Sequence, residues 1–127
     1  MMSRKILVIE DNEQNMYLMH FLLESHGYTV IEAENGHIGI QKAIDENPEI
    51  ILLDIQLPEM DGYEIAGIIR KTPGIDTIPI IAVTSYAMAG DKERILAAGA
   101  TDYIEKPINP ATFVSQIAPH FPDRDQS

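Results

Sequence analysis

Apolar residues in this chain gather into short continuous runs, each of which stops at a polar side chain. Ile6-Leu7-Val8-Ile9 stops at Glu10 and Asp11, Ile50-Ile51-Leu52-Leu53 at Asp54, and Ile80-Ile81-Ala82-Val83 at Thr84. A shorter and more polar run, Tyr103-Ile104-Glu105, stops at Lys106. Unbroken runs of this length predict strands buried on both faces, as in the centre of a parallel sheet. Between them, apolar residues recur at three- and four-residue spacing, which predicts helices. Asn12 to His26 carries Met16, Met19, Leu22 and Leu23 on one face, with Gly27 as its stop. Thr29 to Ala33 reads as a further strand. Asn35 is the expected N-cap of a helix to about Glu46, with Ile38, Ile40, Ala43 and Ile44 inward, ended by Asn47-Pro48. Asp61 and Glu64 have capping-box spacing and open a helix to about Lys71, before Pro73-Gly74. Another helix spans roughly Met88 to Ala98 with Gly99 as stop. Asn109-Pro110 opens a last one reaching about His120.

Strand and helix alternate five times, which implies an α/β fold: a doubly wound five-stranded parallel sheet with helices on both faces. The first, third and fourth strands are apolar throughout and belong in the centre. The second and fifth carry polar residues and suit the edges. Right-handed crossovers and short connections then favour the order 2-1-3-4-5, which is flavodoxin-like. The switch point of that order falls between strands one and three, where ligands bind at the carboxyl ends. Glu10, Asp11 and Asp54 land there.

A length of 127 residues suits one domain, expected over 1–121, with a disordered tail over 122–127. The Met1 start and short tail suggest a stand-alone protein. Cysteine is absent, which excludes disulfides, thiolate metal sites and cysteine nucleophiles. No signal-peptide core and no apolar stretch near membrane-span length occurs, so a cytoplasmic location is expected and no membrane partner. The net charge of −11, with 20 acidic against 9 basic residues, argues against nucleic acid as a partner.

Carboxylates gathered at one sheet edge repel one another, and a hard divalent cation such as Mg²⁺ relieves that repulsion. Glu10 and Asp11 alone also suit the start of a helix, where the macrodipole favours acids. Beside Asp54 at the switch point, the metal reading prevails. Lys106 ends a strand where its targets lie across the carboxyl edge, so it matches a phosphate or carboxylate partner. Thr84, taken singly, is an ordinary β-branched strand residue, and Tyr103 an ordinary half-buried edge aromatic. His20, His26, His37 and His120 show no metal spacing and read as surface or packing residues.

Four segments together, Glu10-Asp11-Asn12, Asp54 through Gly62, Ala82-Val83-Thr84-Ser85 and Lys106-Pro107, resemble the response-regulator receiver domain of two-component signalling. The resemblance covers Lys5 to about Phe121 and is similar to the chemotaxis response regulator. It implies that Asp54 accepts a phosphoryl group from a histidine kinase or histidine phosphotransfer protein. It implies Mg²⁺ held by Asp11, Asp54, the Gln56 carbonyl and, through water, Glu10. Glu10 stands where many members have Asp. Thr84 and Lys106 would bind the phosphoryl oxygens, Thr84 and Tyr103 would act as the switch, and the Lys106–Pro107 peptide would be cis. Gln56 and Tyr86, two residues past Asp54 and Thr84, would set the phosphoryl lifetime. An output protein and a phosphorylation-dependent homodimer are further expectations.

Two other proteins of related fold or chemistry fit less well. A flavodoxin's first loop must cradle a phosphate, and Glu10-Asp11-Asn12-Glu13 would repel it. An aspartyl-nucleophile phosphohydrolase needs a second acid two residues later, where Gln56 stands. An unphosphorylated interaction module is the remaining rival, and the intact acid set, Thr84 and Lys106 argue against it.

Overall fold

The computed structural model describes residues 3–85 and 89–122. Five parallel strands, β1 (Lys5–Ile9), β2 (Thr29–Ala33), β3 (Ile50–Asp54), β4 (Ile80–Thr84) and β5 (Asp102–Glu105), form one sheet in the order β2-β1-β3-β4-β5. This is the expected order. The crossovers are α1 (Glu13–Ser25), α2 (Gly36–Glu46), α3 (Gly62–Arg70) and α4 (Ala89–Ala97), and α5 (Phe113–Ile117) follows β5.

Alternation along the central strands divides the core in two. Ile6, Val8, Ile50, Leu52, Ile81 and Val83 face α1 and α5, meeting Met16, Met19, Leu23, Phe113 and Ile117. Leu7, Ile9, Ile51, Leu53 and Ile80 face α2 and α3, meeting Ala43, Ile65, Ala66 and Ile69. Ile95 of α4 completes the second face over Ala82 and Ile55. Each central strand is thus covered on both sides, which is why its sequence is an unbroken apolar run.

The expected caps form. Asn12, Asn35 and Asp61 each accept a hydrogen bond from the backbone N–H three residues on. Two details differ from expectation. Ile44 is 48% exposed, because the inward stripe of α2 runs through Gly36, Gly39 and Ala43 and Ile44 lies one step round from it. The last helix is shorter than Asn109 to His120. A turn on Asn109 precedes α5, and Pro119 lies in a closing 3-10 turn, Ala118–His120, because proline has no N–H for a continuing α-helix. Met88, the expected start of the fourth helix, and most of the expected tail lie outside the described residues.

Candidate functional site

The carboxyl edge of the sheet gathers the residues that end its strands. β1 and β3 are neighbours in register, Ile9 against Leu53, so Glu10 and Asp54 leave adjacent strands side by side. Glu10 is 2% exposed and Asp54 3%, while Asp11 is exposed. One carboxylate oxygen from each of the three can be chosen so that all lie within 4.8 Å of one another.

Each buried acid is aimed by the backbone just beyond it. Gln56 N–H donates to Asp54 Oδ1 at 3.0 Å, and Asn12 N–H donates to Glu10 Oε2 at 3.1 Å. The remaining oxygens face Lys106. Its Nζ lies 3.4 Å from Asp54 Oδ2 and 3.2 Å from Glu10 Oε1. Burial, then the nearby Asp54 carboxylate, push the Glu10 carboxyl from 4.5 up to about 7, against the pull of Asn12 N–H and Lys106.

Lys106 reaches the acids because β5 ends beside β4, where Lys106 N–H donates to the Thr84 carbonyl at 2.8 Å. The Lys106–Pro107 peptide is cis, as the resemblance implies. Thr84 is 1% exposed at the end of β4. Tyr103 pairs in register with Ala82, two residues before Thr84, and is half-buried against Ile55, Ala82 and Ile95. Lys92 of α4 stands over its ring at 5.2 Å. Tyr86 lies outside the described residues.

The donor set suits a hard cation. Among the described residues Glu10 Oε1 is buried with no hydrogen-bond partner beyond its ion pair to Lys106, and the three acids offer only oxygen. A cleft of about 510 Å³ beside the cluster is lined by Glu10, Asp11, Glu13, Glu32 and Glu34 together with Lys42, so it repels free anions unless cations screen it.

Sequence reasoning brought Glu10, Asp11, Asp54, Thr84 and Lys106 to one edge, and the structure brings them to one edge. It missed the ion pair of Lys106 with Glu10 and the N–H groups of Asn12 and Gln56. The former had a signal, a lone lysine ending a strand opposite an acid pair. The backbone donors had none, since every non-proline residue carries one.

A doubly wound sheet bearing an acid cluster and a lysine at its carboxyl edge defines the class of two-component receivers. The chain belongs to the response regulator receiver domain family, which matches residues 6–118. It is 40% identical over 122 residues to the polar-differentiation response regulator DivK of Brucella anthropi, covering 96% of this chain and 99% of that protein. A solved chemotaxis protein of Vibrio cholerae superposes with a TM-score of 0.90 at 26% identity, covering 94% of this chain and 100% of that one. The receiver domain of a Pseudomonas aeruginosa sensor histidine kinase superposes with a TM-score of 0.85 at 34% identity, over 94% and 98%. It was solved with a magnesium ion coordinated in its active-site cleft. As a family, receivers work with histidine kinases and effector partners. No helix among the described residues is long and apolar enough to cross a membrane.

Proposed function

We propose that Asp54 is the phosphoryl acceptor of this receiver. The observation that carries the reading is a buried carboxylate with Lys106 Nζ 3.4 Å from one oxygen and two further acids clustered beside it. Nothing in a stable core needs three acids in one place, whereas a phosphoryl-transfer site needs a nucleophile, a cation and charge neutralisation.

Asp11, Asp54, the Gln56 carbonyl and Glu10 would hold Mg²⁺, which when bound supplies positive charge opposite the phosphoryl oxygens. Gln56 N–H fixes one Asp54 oxygen, so the carboxylate meets the donor in a set direction. The nucleophilic oxygen forms the new P–O bond in line as the donor bond breaks, P–N for a phosphohistidine or P–O for acetyl phosphate. The donor leaves with that electron pair. Lys106 and the Thr84 hydroxyl offset charge on the equatorial oxygens. Movement of Thr84 toward the phosphoryl group and of Tyr103 behind it would carry the signal to the α4–β5–α5 face. There an output protein, or a second copy of the chain, would read it. Gln56, which has no charge to act as a base, and Tyr86 would slow hydrolysis. The receiver itself would be cytoplasmic, and its donor a histidine kinase or histidine phosphotransfer protein.

Incubation of wild type and Asp54→Asn with acetyl phosphate and Mg²⁺ tests the assignment. Labelling of wild type alone is expected. Equal labelling of both would overturn it, and no labelling of either would leave an interaction module.

A further inference from the structure

One peptide unit connects the acceptor carboxylate to helix α3. Gln56 N–H donates to Asp54 Oδ1 at 3.0 Å. The carbonyl of the same unit, Ile55 C=O, accepts from Gly62 N–H, also at 3.0 Å. The unit is planar, so its carbonyl and its N–H cannot turn independently. Whatever holds the carbonyl therefore aims the N–H, and through it the carboxylate.

The holder is the first residue of α3. The chain leaves β3, turns tightly with Glu59 at a φ of 67° and Met60 N–H on the Pro58 carbonyl at 2.7 Å, and returns at Asp61. Asp61 caps α3 by accepting from Glu64 N–H at 3.0 Å. Gly62 is thereby pressed against the strand it came from. A Cβ on Gly62 would meet Ile55 Cα at 2.6 Å, Ile55 Cδ1 at 2.7 Å and the Asp54 carbonyl oxygen at 2.9 Å. Two of these atoms are backbone of the acceptor segment, and no rotamer change removes them.

Other glycines differ. At Gly36 and Gly39 the closest atoms are the side-chain ends of Ile65, at 2.8 Å, and Ile9, at 2.5 Å. A Cβ on Gly67, further along α3, would meet nothing within 4 Å among the described residues. The obstruction at Gly62 alone falls on the backbone that carries Asp54.

We propose that Gly62 is a positioning residue for phosphoryl transfer. Its N–H and its bare Cα set the tilt of the Ile55–Gln56 peptide, and so the direction of the Asp54 carboxylate. The inference rests on Asp54 being the acceptor.

The test compares wild type, Gly62→Ala, Gly36→Ala and Gly67→Ala at a temperature where circular dichroism shows all four folded. Two quantities are read: the rate of labelling by acetyl phosphate with Mg²⁺, and the hydrogen-exchange rate of the Gln56 amide without any phosphodonor. Gly62→Ala should label about tenfold more slowly or worse and exchange the Gln56 amide faster. Gly67→Ala should match wild type in both. Gly36→Ala, whose strain falls on the side chains of Ile65 and, at 3.0 Å, Met60 and not on backbone, should lower the melting temperature without changing either. Adding Ile55→Val to Gly62→Ala should not restore labelling, because the Cα and carbonyl contacts remain. Full restoration would place the obstruction in the side chain and overturn the proposal. So would a Gly62→Ala protein that labels and exchanges like wild type. An unlabelled wild type would instead overturn the acceptor reading, and this proposal with it.

Discussion

Lys106 Nζ stands 3.2 Å from Glu10 Oε1, a buried oxygen with no hydrogen-bond partner among the described residues. The lysine offsets part of the burial cost but is shared with Asp54, 3.4 Å away. One cation therefore serves two buried acids, and the second acid remains under strain.

That strain should appear as a pH dependence of stability. The Glu10 carboxyl rises from 4.5 to about 7 on folding, first through burial and then through Asp54. The folded protein thus binds this proton more tightly than the unfolded chain. The resulting stabilisation is complete below the unfolded value and is lost as pH rises through about 7. At about 1.4 kcal/mol per unit, lowering the pH across that window should add on the order of 3 kcal/mol to the metal-free protein. His20 is opposed by burial but raised on balance by its hydrogen bonds to Glu24 and Glu32, and it acts in the same direction. The difference between wild type and Glu10→Gln isolates the glutamate. Urea unfolding in EDTA at several pH values measures it, and parallel stability profiles for the two proteins would contradict the account.

The acid cluster should also exchange stability for metal binding. Asp11 is exposed and adds negative charge beside two buried acids. Asp11→Asn should stabilise the metal-free protein and abolish its response to Mg²⁺. In wild type, Mg²⁺ at ten times its dissociation constant should add about 1.4 kcal/mol, if it binds only the folded form. Thermal melts with and without Mg²⁺ decide this. A wild-type melting temperature indifferent to millimolar Mg²⁺ would count against the site.

Tyr103 offers a separation of chemistry from output. Its ring packs against Ile55, Ala82 and Ile95 under the Lys92 ammonium. Tyr103→Ala, truncating a half-buried ring, should cost about 0.5–3 kcal/mol and still accept phosphate on Asp54. Partner binding or self-association that depends on phosphorylation should weaken. Labelling assays paired with size-exclusion chromatography would show it, and loss of labelling with association intact would misplace the switch.

The architecture was legible because burial leaves its mark on sequence. Strands covered on both faces must be apolar throughout, so β1, β3 and β4 announced themselves and their polar ends marked the site. Ile44 was misread because an apolar residue at the border of a helical stripe has no periodic signature of its own. The glycines that form the real inward stripe of α2 carry no hydrophobic signal. The extent of α5 was overread because Asn109-Pro110 is a strong start signal while Pro119 acts late in the segment. Hydrogen bonds from Asn12, Gln56 and Gly62 N–H stayed invisible because backbone donors depend on chain path and not on residue type.

Arg70 forms a clamp at the amino edge of the sheet, opposite the site. Its Nε donates to the Gly99 carbonyl at 2.9 Å, and its guanidinium reaches the Ile78 carbonyl at 2.8 Å and the Asp76 carbonyl at 3.1 Å. Burial lowers its pKa, against a smaller pull from Asp76. The clamp ties the end of α3 to the turns that enter β4 and β5. Arg70→Met keeps most of the stem but leaves carbonyls without donors, at a cost of about 2–3 kcal/mol. Gly99 has a φ of +119°, and a Cβ there would meet Arg70 Cγ at 2.8 Å. Gly99→Ala should therefore also destabilise, partly through backbone strain and partly by displacing Arg70. In the double variant the hydrogen bonds that such displacement would break are already gone, so the combined cost should be smaller than the sum of the two single costs. Urea unfolding of the four proteins gives the coupling. Strict additivity would show that Gly99 acts through its backbone alone, and a slowed labelling of folded Arg70→Met would show that the two edges of the sheet communicate.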